Sequence, residues 1–301
     1  MSTRISQSVL QTEALVQRSP EDAGLWFQLG VKQQENEQED KAVEALQKAL
    51  QLDPTHAAAL LALAVSQTNE NNRVGALEAI EQWIDIQGRG EYADAISRHR
   101  ALNGEVKKEL EAGASMRGQM AARQKDLLEC LMTMARMSPD GAIDADVQIA
   151  LGILLNSSED YDMAKDCFQS ALSVRPDEPQ LYNRVGATLA NSGRASEALA
   201  YYYRALELNP SYIRARFNLG ISSVNLSMYE EAAGHFLDAL VLQDLDANEG
   251  QNTGGISSSA LWDSLRATCL HLQRPDLVAL CDARDLPSTS SRLLCSCQAN
   301  G

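Results

Sequence analysis

The stretch Leu181-Tyr182-Asn183-Arg184-Val185-Gly186-Ala187-Thr188-Leu189-Ala190-Asn191 is followed 34 residues later by Ala215-Arg216-Phe217-Asn218-Leu219-Gly220-Ile221-Ser222-Ser223-Val224-Asn225. Gly152 stands one interval earlier, so Gly152, Gly186 and Gly220 share a register. Ala164, Ala198 and Ala232 keep the same step, as do Ala171, Ala205 and Ala239, and Pro176 with Pro210. Upstream, Gly30, Ala42, Ala49 and Pro54 reproduce the internal spacings of 12, 19 and 24, and Ala64 and Ala76 hold the equivalent places one period on. A period this long marks stacked structural repeats and outranks local propensity.

The pattern is the 34-residue tetratricopeptide repeat, W-x2-L-G-x2-Y…A-x3-F…P. Trp26-Leu29-Gly30-Gln33 with Ala42-Leu46-Ala49-Pro54 fits it, and so does Tyr182-Val185-Gly186-Leu189 with Ala198-Tyr202-Ala205-Pro210. Each repeat is two antiparallel helices, A then B. The Gly and Ala positions let the helices approach closely, and Pro follows helix B, which it cannot continue. No pair buries its apolar face alone, so neighbours must stack. The expected fold is therefore an all-α tetratricopeptide-repeat superhelix of about seven repeats, the middle one distorted, with a C-terminal helical cap. Regular repeats are expected at 23–56, 57–90, 145–178, 179–212 and 213–246. Residues 91–144 are degenerate: 119–137 is helical in composition, and Ser138-Pro139-Asp140-Gly141 ends it. The expected organisation is a flank at 1–22, a repeat block with its hinge at 23–144, a second block at 145–246, a flexible loop at 247–259, helices at 260–286 and a frayed tail at 287–301.

Composition narrows the function classes. The 301 residues are 45% hydrophobic and 22% charged, so the chain folds; aromatics at 5% argue against a β-rich architecture. Lys and Arg number 26 against 41 Asp and Glu, a net charge of −15. Nucleic acid needs a basic footprint and is not expected as a ligand; a basic partner suits the field better, or acidity simply keeps the chain dispersed. The six cysteines (Cys130, Cys167, Cys269, Cys281, Cys295, Cys297) are too scattered for a disulfide scaffold. With no membrane-length apolar run and no secretory segment, the chain reads as soluble and cytosolic. His56, His99, His235 and His271 form no metal motif, and no phosphate loop or nucleophile elbow occurs. No catalysis, cofactor or metal is expected.

The face of helix A turned away from helix B carries the information about a ligand. At about 100° per residue, repeat positions 2, 5, 6, 9, 12 and 13 lie together. They hold Ala58, Leu61, Ala62, Val65, Thr68 and Asn69 in the second repeat, and Asp146, Ile149, Ala150, Ile153, Asn156 and Ser157 in the repeat beginning at 145. The next two give Gln180, Asn183, Arg184, Ala187, Ala190 and Asn191, then Arg214, Phe217, Asn218, Ile221, Val224 and Asn225. A solvated face would carry Glu, Lys and Gln instead. An Asn amide both donates and accepts, so several along a groove can hold a peptide backbone of any sequence. An Arg beside them can take a terminal carboxylate. Each Asn taken singly also fits a helix cap or a solvated position, and the aliphatic members could instead pack on neighbouring repeats.

Gln34-Glu35-Asn36-Glu37-Gln38-Glu39, Ala64-Val65-Ser66-Gln67-Thr68-Asn69-Glu70, the 182–191 and 212–222 stretches, and Ala283-Arg284-Asp285-Leu286 resemble the import receptors for type-1 peroxisomal (or glycosomal) targeting signals. The likeness runs from about residue 20 to 286. It implies a receptor domain that binds the C-terminal Ser-Lys-Leu type tripeptide of matrix proteins, cytoplasmic and cycling to the organelle membrane as part of a longer receptor. By resemblance, the peptide-contacting asparagines fall on Asn69, Asn183, Asn218 and Asn225, and the arginine near the cargo carboxylate on Arg214. Val65, Thr68 and Ala187 fall on pocket positions, with Glu70 nearby, where it would favour a basic middle residue in the signal. Arg184 stands where the family would carry Lys. The family's N-terminal W-x3-F/Y docking motifs are not found here, since Trp26, Trp83 and Trp262 lack an aromatic four residues on. The chain is thus expected to be the cargo-binding half, with membrane-docking proteins reached only through the other half. The competing readings are a cochaperone-type module clamping an acidic C-terminal tail, a scaffold using its convex faces, and the substrate-binding arm of a larger enzyme. The cochaperone reading wants several Lys and Arg in the groove, where Arg184 and Arg214 stand nearly alone.

Overall fold

The computed structural model describes residues 9–101, 115–138, 141–248 and 259–299. Their order is α1 (Val9–Arg18), α2 (Ala23–Glu35), α3 (Glu39–Leu52), α4 (Ala57–Asn69), α5 (Arg73–Gln87) and α6 (93–101). Then come α7 (Met116–Arg136), α8 (Ala145–Ser157), α9 (Tyr161–Val174), α10 (Pro179–Asn191) and α11 (Ala195–Leu208). α12 (Ile213–Asn225), α13 (Tyr229–Asn248), α14 (Ser259–His271), α15 (Pro275–Asp282) and α16 (Leu286–Ala299) complete the chain. No strand occurs among the described residues. The all-α tetratricopeptide-repeat class expected from the period is what the residues form. The chain divides into two compact units. The first comprises Arg18–Val31 and Glu39–Leu181; the second comprises Met1–Gln17, Lys32–Gln38 and Tyr182–Gly301.

The periodic small residues do what the spacing requires. Ala42, Ala49, Ala164 and Ala171 in the first unit, and Ala198, Ala205, Ala232 and Ala239 in the second, are fully buried. The periodic glycines face a large side chain of helix B. A Cβ on Gly186 would lie 2.6 Å from the Tyr202 ring, and one on Gly152 would lie 2.5 Å from Phe168. Gly30 faces Leu46 in the same way, at 2.6 Å. Helix A therefore lies directly against the ring or branched side chain at this point, at close-packed density.

Helix A also stops the same way each time. Glu37, Asn71, Glu159, Gly193 and Ser227 have positive φ, from 56° to 80°, and sit at equivalent repeat positions. Each is followed by a hydrogen bond of one type: Gln38 N–H to Gln33 O at 2.9 Å, Asn72 to Gln67 at 2.8 Å, Asp160 to Leu155 at 3.0 Å, Arg194 to Leu189 at 2.9 Å and Met228 to Ser223 at 2.9 Å. This is the left-handed stop that satisfies the last carbonyls of a helix. Helix B then starts on a local cap where one is available, as where Asn72 Oδ1 accepts from Gly75 N–H at 3.1 Å.

Three parts of the expected organisation differ. In the first unit α7 is a full helix that buries Leu127, Leu131 and Met134, and Gln124 donates to Leu154 O at 3.1 Å on α8. The degenerate stretch is thereby tied to the 145–178 hairpin, and the compact division does not fall at 144/145. Part of that stretch, 102–114, and most of the expected loop at 247–259 lie outside the described residues. The N-terminal flank contains α1, which buries Val9, Thr12 and Val16. The expected frayed tail is the helix α16. Arg284 ends α15 at φ 52°, Asp285 Oδ1 accepts from Ser288 N–H at 3.1 Å, and Thr289 and Leu293 are buried. An Asp cap followed by Pro287 is a helix-start signal. In the second unit α14, α15 and Leu293 of α16 close the apolar end of the stack around Phe236, Leu240, Trp262, Leu265, Cys269, Leu277 and Cys281.

Gly186→Ala should lower the stability of the chain by about 1–3 kcal/mol, the usual cost of overpacking. The loss should be smaller in a Tyr202→Ala background, where the clashing ring is gone. Urea denaturation of the two single variants and the double variant checks both.

Candidate functional site

The candidate residues fall into two groups, one in each unit. In the first unit they occupy the last turns of α4. Val65 and Thr68 are half-buried, and Asn69 and Glu70 are exposed. Thr68 Oγ1 donates to Ala64 O at 2.8 Å, so its proton is spent on the helix. Asn69 Nδ2 donates to Glu39 Oε1 at 2.7 Å. An ionised carboxylate only accepts, so this contact fixes which end of the Asn69 amide points to Glu39 and leaves the Asn69 carbonyl oxygen turned away from it. Glu70 is the C-cap of α4, with its N–H donating to Ser66 O at 2.9 Å. In the same unit the Oδ1 of Asn156, on the last turn of α8, is buried without a hydrogen-bond partner. A buried acceptor in that state is costly unless something supplies a donor.

In the second unit the group is carried by α10 from Tyr182 onward and by α12. Asn183 is only 6% exposed. Arg184 and Ala187 are half-buried, and Ala187 lies one turn beyond Asn183 on the same face. Asn218 Nδ2 donates to Asn183 Oδ1 at 3.0 Å, joining α12 to α10. Arg214 lies one turn before Asn218. Its Nε donates to Gln34 O at 3.0 Å, and its Nη2 lies 3.2 Å from Glu37 Oε2. Asn225 closes α12, exposed, two turns beyond Asn218. The structure thus joins Asn183 to Asn218, with Arg214 one turn before Asn218 on the same helix.

The face calculation erred over the aliphatic members. Leu61, Ala62, Ile149, Ala150 and Ile153 are buried core residues, and Phe217, Ile221 and Val224 pack against the apolar core of the second unit. An isolated helix has one apolar face; helix A in a stack has two, because it packs on its own helix B and on the next repeat. Of the face's polar members, Asn69 and Asn225 at the helix ends are exposed, whereas Asn183 is buried.

Sequence reasoning missed the partners of these residues. Glu39 holds Asn69, and Gln34 and Glu37 hold Arg214. All three lie in 34–39, a stretch that drew notice for its resemblance alone. The available signal was two acids flanking a helix stop, Glu37 and Glu39, in a place where a solvated turn needs neither. Among the described residues no group of His, Cys, Asp and Glu could hold a metal ion, and no helix is long and apolar enough to cross a membrane.

Asn183→Ala should cost about 1–3 kcal/mol of stability, because it strips the Asn218 amide of a buried partner. Asn225→Ala, at an exposed helix end, should stay within about 0.5 kcal/mol. Thermal or urea unfolding separates the two and calibrates any binding measurement on these variants.

Tetratricopeptide-repeat family models match residues 23–56 and 149–213. A protein named peroxisomal targeting signal receptor from Yarrowia lipolytica is 41% identical over 277 residues, covering 92% of this chain and 44% of that protein. The protein of the same name from Candida albicans is 36% identical over 279 residues, covering 92% of this chain and 45% of its own length. The chain therefore spans somewhat under half the length of the curated relatives it matches. Among solved structures, a thermophilic tetratricopeptide-repeat protein of Thermus thermophilus aligns with a TM-score of 0.41 at 22% identity, covering 67% of this chain and 99% of that one.

Proposed function

We propose that this chain, homologous over about nine-tenths of its length to a part of the peroxisomal targeting signal receptors, is a cargo-binding module that takes the C-terminal Ser-Lys-Leu type signal of matrix proteins. The observation that carries the reading is the polar system on α10 and α12. Asn183 and Asn218 are bonded to each other at 3.0 Å, and Arg214 stands one turn away on the same face as Asn218. With its oxygen engaged by Asn218, the Asn183 amide offers donors to a carbonyl or carboxylate. Arg214 supplies the positive charge a terminal carboxylate needs. In the other unit Asn69 offers its carbonyl oxygen to a peptide N–H, and Val65, Thr68 and Glu70 border it. On this reading Ala187 lines the pocket, Arg184 adds positive charge beside Asn183, and Asn225 meets the peptide further along α12. Glu70, exposed at the end of α4, favours a basic middle residue in the signal.

The function is recognition, without catalysis, cofactor, metal or nucleic acid. Its place is the cytoplasm, with cycling to the peroxisomal (or glycosomal) membrane as part of a longer receptor; docking proteins are met by the portion of the relatives that this chain does not span. A cochaperone-type clamp would instead prefer acidic tails, and a scaffold would not depend on a peptide end.

Fluorescence anisotropy of a labelled peptide ending in Ser-Lys-Leu tests the reading. The free acid should bind, and the C-terminal amide should bind about tenfold to a hundredfold more weakly, as loss of a charge-assisted contact implies. Asn218→Ala should cost about tenfold for the acid. Glu70→Lys should remove the preference for a basic middle residue. No binding of the acid at micromolar protein, or stronger binding of acidic tails, would overturn the reading.

A further inference from the structure

Glu37 is out of place by every local rule. It occupies the left-handed stop of helix α2 at φ 60°, a conformation that disfavours a side-chain-bearing residue. Gly193 fills the equivalent position after α10, where the constraint vanishes. Glu159 fills it after α8 and is exposed, so its charge stays in water. Glu37 has no such relief: its side chain is only 13% exposed. A carboxylate taken out of water needs a compensating charge or hydrogen bonds.

The compensation comes from Arg214, itself only 12% exposed, whose Nη2 lies 3.2 Å from Glu37 Oε2. The same guanidinium donates through Nε to Gln34 O at 3.0 Å. One edge of the arginine fork is therefore engaged by a single turn of chain. That turn is fixed in its own right, because Gln243 Nε2 donates to Asn36 O at 2.9 Å. A long, rotatable side chain is thus held at one place, one helical turn from the Asn218–Asn183 pair.

We propose that Glu37 is a positioning residue for the peptide site: it acts on the ligand through Arg214, fixing the guanidinium where a terminal carboxylate is met. The inference rests on the peptide-binding reading above. It also makes a choice between two opposed effects. Glu37 lowers the net positive charge near the carboxylate, which disfavours an anion. It also spares the ligand the entropy of ordering Arg214. The proposal is that positioning outweighs charge.

The test is the acid and amide peptides measured against wild type, Glu37→Gln, Glu37→Asp, Arg214→Ala and the double variant Glu37→Gln/Arg214→Ala, with Glu159→Gln as a control at the equivalent exposed stop. Glu37→Gln should weaken acid binding by about fivefold to twentyfold and shrink the acid-to-amide ratio, whereas a merely structural role would weaken both peptides equally. Glu37→Asp should recover part of the loss, and Glu159→Gln should change nothing. The effect of Glu37→Gln should vanish in the Arg214→Ala background. Tighter acid binding by Glu37→Gln, or an unchanged acid-to-amide ratio, overturns the proposal while leaving the site reading intact. Failure of wild type to bind either peptide overturns the site reading, and the inference with it. Should Glu37→Gln not fold, nitrogen-15 NMR of the Arg214 side chain in the wild-type chain decides the matter without a peptide. Hindered rotation about the Cζ–Nη2 bond, with slowly exchanging Nη2 hydrogens, supports the pinning by Glu37, and free rotation with exchange as fast as that of an exposed arginine overturns it.

Discussion

Everything else in the chain depends on how closely helix A meets helix B. At Gly152, Gly186 and Gly220 there is no room for a Cβ, because the ring of Phe168, Tyr202 or Phe236 occupies that volume. The fully buried alanines of helix B extend the close approach along the hairpin. Such contacts leave no tolerance in register: sliding one helix by a residue would put a side chain where only hydrogen fits. Stacking then follows, since each tightly closed hairpin still has an apolar face to bury.

Close packing also decides where polar chemistry can live. The middle of helix A is enclosed on two sides, so most side chains there are apolar or small, and a polar one such as Asn218 is paired. Its C-terminal turn escapes, because the left-handed stop turns the backbone away and exposes the final residues. Asn69 and Asn225, each the last residue of its helix, occupy that opening. Asn183 lies nearer the start of α10 and is buried, and it is tolerated because Asn218 bonds to it from α12. The candidate site is made of whatever polar groups this packing leaves a place for.

The repeat was legible because steric demands recur at fixed intervals and only Gly and Ala meet them. The candidate asparagines and Arg214 were legible because they are conspicuous where a solvated helix would carry Glu or Lys. What was not legible follows from interactions outside the period. α16 starts from a local cap, Asp285 with Pro287, which a search for 34-residue spacing passes over. The aliphatic positions from Leu61 to Val224 looked like a groove because a single-helix projection cannot show the neighbouring repeat. Glu37 and Glu39 were missed for a different reason: their partners lie 177 and 30 positions away in the chain, and no local pattern announces them.

Glu39 and Asn218 also change what the asparagines can do. Taken from the sequence, an asparagine is a symmetrical reagent, able to meet a carbonyl or an N–H alike. In the fold the choice is largely made. Glu39 can only accept, so Asn69 must donate to it, and the carbonyl oxygen of Asn69 is what remains for a ligand. Asn183 accepts from Asn218, so its N–H groups remain. One amide is thereby biased toward peptide N–H groups and the other toward carbonyl or carboxylate oxygen, each within its own unit. On the proposed reading, a peptide that presented an N–H to Asn183 would set donors against donors there. The net charge of −15, which by itself reads only as a general field, includes carboxylates with a specific internal role, since Glu39 bonds the Asn69 amide and Glu37 pairs with Arg214.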